Sequence, residues 1–200
     1  MNYPTMLDPK LDLSLGWRGV PGWLSDEEAE GLQACVRAIS PAQAYVELGA
    51  WCGRSLAATM EASRDGVSHY TFDSFPVTSQ AVDEAGFSAT QARDTLLEVV
   101  THYRYKGKRV CFFEQDSTLG ALAYAGPPIC VLFVDDHHSA DQVISNLKCW
   151  GPHLSYRCAI LFHDYASEPF GLAKPINELL RPPSWEFRGV MGSMGLFVRI

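Results

Sequence analysis

Two short runs of acidic residues and histidines each follow an apolar stretch of the chain. The first run reads Asp135-Asp136-His137-His138 and the second reads His163-Asp164. Neighbouring parallel strands lie about 5 Å apart, so runs at the ends of two such strands can converge on one small volume. Imidazoles and carboxylates gathered in this way can bind a divalent metal or relay a proton. The alternative is that single residues of these runs only cap the helices that follow them.

A glycine-containing turn follows an earlier apolar run and carries an acidic residue at its start. It reads Glu47-Leu48-Gly49-Ala50-Trp51-Cys52-Gly53-Arg54-Ser55. The two glycines allow a tight turn with close backbone approach, and Ser55 begins a helix whose N-terminal amides face the crevice. A carboxylate at this place would repel phosphate but suits a ligand that has an amino group and a sulfonium. The turn therefore predicts a site for such a ligand, the alternative being a plain strand-to-helix turn.

Acidic residues also follow the next two apolar runs. Asp73 comes twenty residues after Gly53, where an aspartate commonly accepts hydrogen bonds from a ribose hydroxyl pair. Asp116 and Ser117 end the run after that and suit the edge of an adenine. Each of these signals is weak by itself, because aspartate also caps helices. Their order at three successive strand ends is what favours a ligand site along one edge of a sheet.

The elements that must position these residues alternate along the chain. Strand-like apolar runs cover 44–49, 70–72, 110–113, 129–134 and 158–162. Segments with helical spacing follow Ser25 and cover 55–63, 90–105, 117–125, 140–150 and 174–181. The runs 185–190 and 196–200 read as a closing hairpin. This alternation predicts an α/β fold with a doubly wound sheet of seven strands, the last one antiparallel, and helices on both faces.

Composition limits the class of protein. The chain has 200 residues and a formal net charge of -7, which argues against nucleic-acid and anionic membrane partners. The N-terminus lacks a signal-peptide layout and no apolar run is long enough to cross a bilayer, so we expect a cytoplasmic protein with reduced cysteines. We expect an N-terminal arm at 1–23 and one domain at 24–200, with acceptor specificity in loops such as Ser79–Ser88 and Tyr165–Gly171.

The motifs together resemble the class I S-adenosylmethionine-dependent methyltransferases, and most of all the group with macrocin-type and rhamnosyl O-methyltransferases and cephalosporin hydroxylase-type proteins. The resemblance is carried by the turn from Glu47 to Ser55, by Val134-Asp135-Asp136-His137-His138-Ser139 and by Phe162-His163-Asp164-Tyr165. It implies a Rossmann-like fold with S-adenosyl-L-methionine as cofactor. It further implies that Glu47, Gly49, Gly53 and Ser55 hold the methionine part, Asp73 the ribose, and Asp116 with Ser117 the adenine. We also expect Asp135, at the same rim, to bind the cofactor.

One motif departs from the family pattern. Where the resembling family usually reads Ile-Asp-Gly-Asp-His-Ser, this chain has His137 in place of the second Asp. In one interpretation His137, His163 and Asp164 form a two-histidine, one-carboxylate site, which favours softer metals than magnesium. In the other no metal binds and His137 acts as a base. We take Asp135, His137 and His163 as candidate catalytic residues under either interpretation.

The expected function is O-methylation of a small-molecule hydroxyl of the sugar or natural-product type. Such a hydroxyl has a pKa far above 7, so its attack on a methyl group needs a base or a metal. Two alternatives remain open: a metal-dependent hydrolase or oxygenase that uses His137, His163 and Asp164, and a cofactor-binding module without catalysis. Because nearly every residue belongs to the fold, a bulky acceptor would need the arm or a second subunit, and we expect a homo-oligomer.

Overall fold

A computed structural model of the chain describes residues 11–75 and 87–200. The first ten residues of the expected arm and residues 79–86 of the expected acceptor loop lie outside this range. The described helices are α1 (Asp26–Val36), α2 (Arg54–Ala62), α3 (Ala89–Tyr105), α4 (Ser117–Ala123), α5 (Ala140–Trp150) and α6 (Ala173–Leu179). The strands are β1 (Ala44–Leu48), β2 (Ser68–Asp73), β3 (Arg109–Glu114), β4 (Ile129–Val134), β5 (Leu154–Phe162), β6 (Trp185–Met191) and β7 (Met194–Arg199).

The seven strands form one sheet in the order β3-β2-β1-β4-β5-β7-β6. Strands β1 to β5 pair in parallel, whereas β7 runs antiparallel to both β5 and β6. This confirms the predicted doubly wound sheet with an antiparallel last strand. The chain leaves β1 toward β2 and β3 and returns to β4 on the other side of β1, and ligands of open α/β sheets bind outside such a switch point.

Two apolar layers cover the sheet, as the nearly all-apolar strands predict. The first layer joins α1, α2 and α3 to one face through buried residues that include Leu32, Leu56 and Leu96. The second joins α4, α5 and α6 to the other face around Trp150, Ile160 and Ile176. Because both faces are packed, polar side chains gather at the carboxyl edge of the strands, which we call the rim.

The described part of the N-terminal region lies on the first layer. Short 3-10 turns span Leu13–Gly19, and Trp17 is buried with the core. The buried guanidinium of Arg54, the first residue of α2, donates to the backbone oxygens of Leu24 at 3.0 Å and Val20 at 2.9 Å. Residues 11–24 therefore pack on the helix that follows the glycine turn, and the proposed boundary between arm and domain stays a prediction. No helix in the described ranges is both long and apolar enough to cross a bilayer.

Candidate functional site

The glycine turn lies at the switch point of the sheet and depends on its two glycines. Gly49 has φ +82°, and a Cβ there would lie 2.2 Å from the backbone oxygen of Asp135. Gly53 has φ +89° and is the N-cap of α2, with no side chain capping that helix. Since only glycine adopts such φ values without strain, the sequence forces the turn close against the end of β4. The first amides of α2 stay available at the rim.

Glu47 is the polar residue most deeply buried beside this turn. Its side chain is fully buried in β1, and its Oε1 accepts hydrogen bonds from the hydroxyls of Ser55 and Tyr45. Its Oε2 has no hydrogen-bond partner. Burial raises the pKa of Glu47 to about 8, because the charged form loses its hydration. The unpaired oxygen is an acceptor suited to a ligand's ammonium group, which would also favour the ionised carboxylate.

Asp73 lies at the end of β2 and shapes the turn from the side. Its Oδ2 accepts from the backbone amides of Ala50 at 2.8 Å and Trp51 at 2.9 Å, and its Oδ1 accepts from the amide of Phe75 at 2.7 Å. A carboxylate has about four lone-pair sites, so the expected ribose contact would share Asp73 with these three amides. The role predicted from the sequence is untested, but the structure adds a second one, holding the turn in place.

Asp116 and Ser117 begin α4, and both have partners within the protein. Asp116 is the N-cap, and its Oδ1 accepts from the amides of Thr118 at 2.9 Å and Leu119 at 3.1 Å. The Ser117 hydroxyl donates to Oδ2 of Asp136 at 2.6 Å. Burial raises the pKa of Asp136, whose Oδ1 has no partner. The adenine contact expected of Asp116 and Ser117 therefore stays a prediction, beside a capping role that the structure shows.

The ends of β4 and β5 bring four side chains together: Asp135, His138, His163 and Asp164, which we call the acid–histidine cluster. One ligating atom from each lies within 4.8 Å of the other three. Nδ1 of His163 lies 3.1 Å from Oδ1 of Asp135 and 3.3 Å from Oδ2 of Asp164. Nε2 of His138 lies 3.6 Å and 3.3 Å from the same two oxygens. The two runs thus converge, as neighbouring strand ends allow.

Charge and burial work against each other in this cluster. Burial by itself lowers the pKa of His163, but the Asp135 carboxylate, helped by Asp164, raises it well above the ordinary value. The same competition raises the pKa of His138, where Asp135 outweighs burial. In return, His163 holds the pKa of Asp135 and of Asp164 below the ordinary value although burial opposes this. The cluster therefore binds protons on its imidazoles tightly in the absence of an ion.

His138, not His137, completes the cluster, which differs from the grouping expected from the sequence. Asp135 and His138 are three residues apart in the turn after β4, and this spacing brings their side chains to the same side. His137 is exposed, and its charge acts on Asp116 and Asp136 on the other side of the turn. The expected ligand set of His137, His163 and Asp164 is therefore not the one gathered, while a role of His137 as a base stays a prediction.

Glu28 and Ser193 join this site although the sequence does not mark them as functional. Glu28 in α1 is 4% exposed, and its Oε2 lies 3.6 Å from Nε2 of His163. Its Oε1 accepts from the Ser193 hydroxyl at 2.7 Å, and that hydroxyl accepts from the amide of Asp164 at 3.3 Å. The sequence predicts only that Glu28 forms a capping box with Ser25, and the structure confirms this role. No local pattern could have revealed the second role.

Backbone strain is also concentrated at the rim. Trp51, Phe75 and Asp164 are the non-glycine residues with positive φ in the described ranges, at 47°, 47° and 54°. They follow β1, β2 and β5 respectively. Such conformations cost about 1–3 kcal/mol each and are often found at functional sites. Their position supports the assignment of the candidate functional site to the rim of the sheet.

The polar groups of the rim are suited to two kinds of ligand. The unpaired Oε2 of Glu47 and the uncapped start of α2 suit a cofactor with an amino acid moiety. The acid–histidine cluster offers two imidazole nitrogens and two carboxylate oxygens, a donor set that divalent transition ions accept. The two places adjoin, because Gly49 contacts the backbone of Asp135.

Comparison with known proteins identifies the family to which the chain is similar. A family model described as a methyltransferase domain matches residues 46–165, which include the glycine turn and the whole acid–histidine cluster. No curated protein sequence matches the chain. The family match confirms the resemblance to methyltransferases.

Solved structures agree in fold. The O-methyltransferase NovP is 20% identical, with a TM-score of 0.62 over 89% of this chain and 81% of that one. CalS11, a TDP-rhamnose 3'-O-methyltransferase of calicheamicin biosynthesis, is 14% identical, with a TM-score of 0.66 over 94% and 83%. Cofactor-bound Rv0187 from MTB is 10% identical, with a TM-score of 0.66 over 88% and 80%. At such identities the likeness concerns the fold.

Proposed function

The chain belongs to the methyltransferase-domain family, and from this premise we propose that it transfers a methyl group from S-adenosyl-L-methionine to a hydroxyl of a small molecule. One observation carries the proposal. Gly49 of the cofactor turn packs against the backbone oxygen of Asp135, the residue with which the acid–histidine cluster begins. A methyl donor held by the turn would thus adjoin charged groups that can orient and deprotonate an acceptor.

The residues of the turn have the task of binding and orienting. Glu47 would accept from the ammonium group through its unpaired Oε2, and Asp73 would keep the turn closed through its bonds to Ala50 and Trp51. The cofactor itself supplies an electrophilic methyl carbon. Holding two reactants in line can contribute on the order of 7–11 kcal/mol to lowering a barrier.

The residues of the cluster have the task of handling the acceptor's proton. His137 remains the candidate base predicted from the sequence, and it lies in the turn after β4, on the side of Asp116 and Asp136. A divalent ion held by the cluster would lower the pKa of a bound hydroxyl. General-base catalysis of this kind typically contributes about 10²- to 10⁴-fold, so Asp135, His163 and their neighbours are where we expect losses of turnover.

A small-molecule acceptor and an assembly of several copies also belong to this proposal. The net charge of -7 disfavours nucleic acid as the acceptor. The names of NovP and CalS11 describe O-methyltransferases, and that of CalS11 describes a sugar nucleotide substrate. Sugar nucleotides and other hydroxyl-bearing natural products are therefore the first acceptors to test.

Calorimetric titration of the protein with S-adenosyl-L-methionine tests the cofactor, and release of S-adenosylhomocysteine across an acceptor panel tests the reaction. We expect saturable binding that Glu47→Ala abolishes and that Glu27→Gln, an exposed change in α1, leaves intact. Absence of binding to the unaltered protein would refute the proposal.

The same assays separate the two alternatives. Turnover that needs a metal but no methyl donor would indicate the hydrolase or oxygenase. Cofactor binding without product from any acceptor would indicate a binding module.

A further inference from the structure

Glu28 is held rigidly next to the acid–histidine cluster by groups from two distant parts of the chain. Its Oε2 accepts from the amide of Ser25 at 2.9 Å and the hydroxyl of Ser25 at 2.7 Å. Its Oε1 accepts from the amide of Ser193 at 2.9 Å and the hydroxyl of Ser193 at 2.7 Å. Helix capping needs only the first pair. The second pair ties Glu28 to the turn between β6 and β7, which places its carboxylate beside His163.

The imidazole of His163 is oriented by what lies at its two nitrogens. Nδ1 faces Asp135 and Asp164 within the cluster, and Nε2 faces Glu28 at 3.6 Å. His163 is 8% exposed, and its Nε2 has no hydrogen-bond partner. Histidines that bind metals commonly donate their other N–H to a carboxylate, which fixes the ring and its tautomer. Glu28 lies next to Nε2 of His163, which is the position that such a carboxylate would occupy.

The four cluster atoms lie close enough together to surround one four-coordinate ion, since one ligand atom from each residue lies within 4.8 Å of the others. Oδ1 of Asp135, Nδ1 of His163, Oδ2 of Asp164 and Nε2 of His138 form a closed ring with separations of 3.1, 3.3, 3.3 and 3.6 Å. Ligand atoms about 2.0–2.1 Å from a tetrahedral ion lie about 3.3–3.4 Å from each other. Four of the six separations in the cluster are thus close to those around such an ion.

The chemistry of the donors selects the class of ion. Mg²⁺ is bound through carboxylates and retained waters, whereas imidazole suits ions such as Zn²⁺ and Co²⁺. Two of the four donors here are imidazoles. We propose that the acid–histidine cluster binds a divalent transition ion in preference to Mg²⁺, and that Glu28 is the positioning residue that holds His163 for it. The inference rests on the proposed function in one respect only, namely that the acceptor binds next to the acid–histidine cluster.

Metal titration of the full-length protein, freed of metal by dialysis against a chelator, tests this inference. We expect one Co²⁺ or Zn²⁺ per chain, bound at least ~100-fold more tightly than Mg²⁺. Outer-shell partners of ligating histidines typically contribute about 10- to 100-fold in metal affinity. Glu28→Gln should therefore weaken Co²⁺ binding by about that factor and change the visible absorption of the bound Co²⁺. Glu27→Gln, one residue away and exposed, should change neither.

Because Glu28 also caps α1, a second pair of variants keeps the test decisive. Ser193→Ala removes the hydroxyl that donates to Oε1 of Glu28, whereas Ser88→Ala removes the capping hydroxyl of α3, which bonds within its own capping box and not to Glu28. We expect Ser88→Ala to lower stability while leaving the Co²⁺ spectrum unchanged, and Ser193→Ala to alter the spectrum.

Two outcomes would overturn the inference. One is tighter binding of Mg²⁺ than of Co²⁺, or no binding of either ion, by the unaltered protein. The other is a Co²⁺ affinity and spectrum in folded Glu28→Gln equal to those of the unaltered protein. Calorimetry with S-adenosyl-L-methionine on the same samples reports on the proposed function separately, since its failure would appear there and not in the metal titration.

Discussion

At the ends of β2 and β3, two carboxylates accept hydrogen bonds from backbone amides, whereas at the ends of β4 and β5, two carboxylates lie beside imidazoles. Asp73 and Asp116 belong to the first group, which we call the turn side. Asp135 and Asp164 belong to the second, the cluster side. Glu47 is the exception on the turn side, since one of its buried oxygens has no partner.

This difference teaches what each side is built for. Hydrogen bonds from backbone amides keep a loop in one conformation, so the turn side fits the cofactor-binding role that we propose for it, with the unpaired oxygen of Glu47 available to the ligand's ammonium group. Imidazoles and carboxylates exchange protons or share an ion, so the cluster side suits chemistry on an acceptor. Four experiments can break or sharpen this contrast, from the largest expected effect to the smallest.

Substitution of Gly49, where the turn side contacts the cluster side, should have the largest effect on stability. In Gly49→Ala the new Cβ would meet the backbone oxygen of Asp135 at 2.2 Å at a φ of +82°, which neither strand end can relieve easily. We expect a loss of at least ~3 kcal/mol in the free energy of unfolding, measured with urea. Gly107→Ala is the control, because Gly107 has the same φ and nothing within 4 Å. Its cost should be about 1 kcal/mol. Equal losses in both variants would show that the contact does not matter.

Removing the charge of Glu47 should weaken cofactor binding, whereas a matched change on the cluster side should not. Glu47→Gln keeps the shape of the side chain but not its charge, and hydrogen bonds to charged groups contribute about 1.5–3 kcal/mol. We expect S-adenosyl-L-methionine to bind roughly 10- to 150-fold more weakly in calorimetry, on the same scale of free energy. Asp164→Asn on the cluster side should leave that affinity within threefold. If Asp164→Asn weakened cofactor binding as much as Glu47→Gln does, the two sides would not be separate in function.

The buried carboxyl should also make stability depend on pH. The pKa of Glu47 is about 8 in the folded protein and near 4.5 ordinarily, so between these values the folded chain retains a proton that the unfolded chain releases. Raising the pH through this window therefore favours unfolding, by up to ~1.4 kcal/mol per pH unit.

Urea titrations between pH 5 and pH 8 would measure this as a difference between the unaltered protein and Glu47→Gln. We expect the variant to gain in relative stability as the pH rises. A difference that stays constant over the window would mean that Glu47 is ionised in the free protein.

The smallest effect should come from the link between the cluster and α1. Ser193→Ala removes the hydroxyl bond to Glu28 but keeps the backbone amide bond, which should cost about 1 kcal/mol in the free energy of unfolding. Cofactor affinity should not change, because Ser193 touches no residue of the turn side. A weakened cofactor affinity in this variant would indicate that the cluster side and the turn side are coupled through α1.

The sequence by itself determined the order of strands and helices and the turn side. Alternating apolar runs and helical periods are local properties, so the seven strands and the capping box at Ser25 could be predicted within a few residues. The glycines at 49 and 53 mark the turn because no other residue adopts their φ without strain. Glu47 could also be singled out, because it is a carboxylate within an otherwise apolar run that forms a buried strand.

Only the tertiary structure decided the cluster side. The choice of His138 over His137 depends on how the turn after β4 rotates its side chains, which no period in the sequence encodes. Ser193 meets Glu28 across 165 residues of chain, and that contact exists only because the hairpin of β6 and β7 folds back beside α1. Contacts of this kind depend on long-range packing, whereas sequence patterns report the local backbone. The same limit explains why the sequence predicts a ribose contact for Asp73, which stays a prediction, but does not predict its bonds to the distant amides of Ala50 and Trp51.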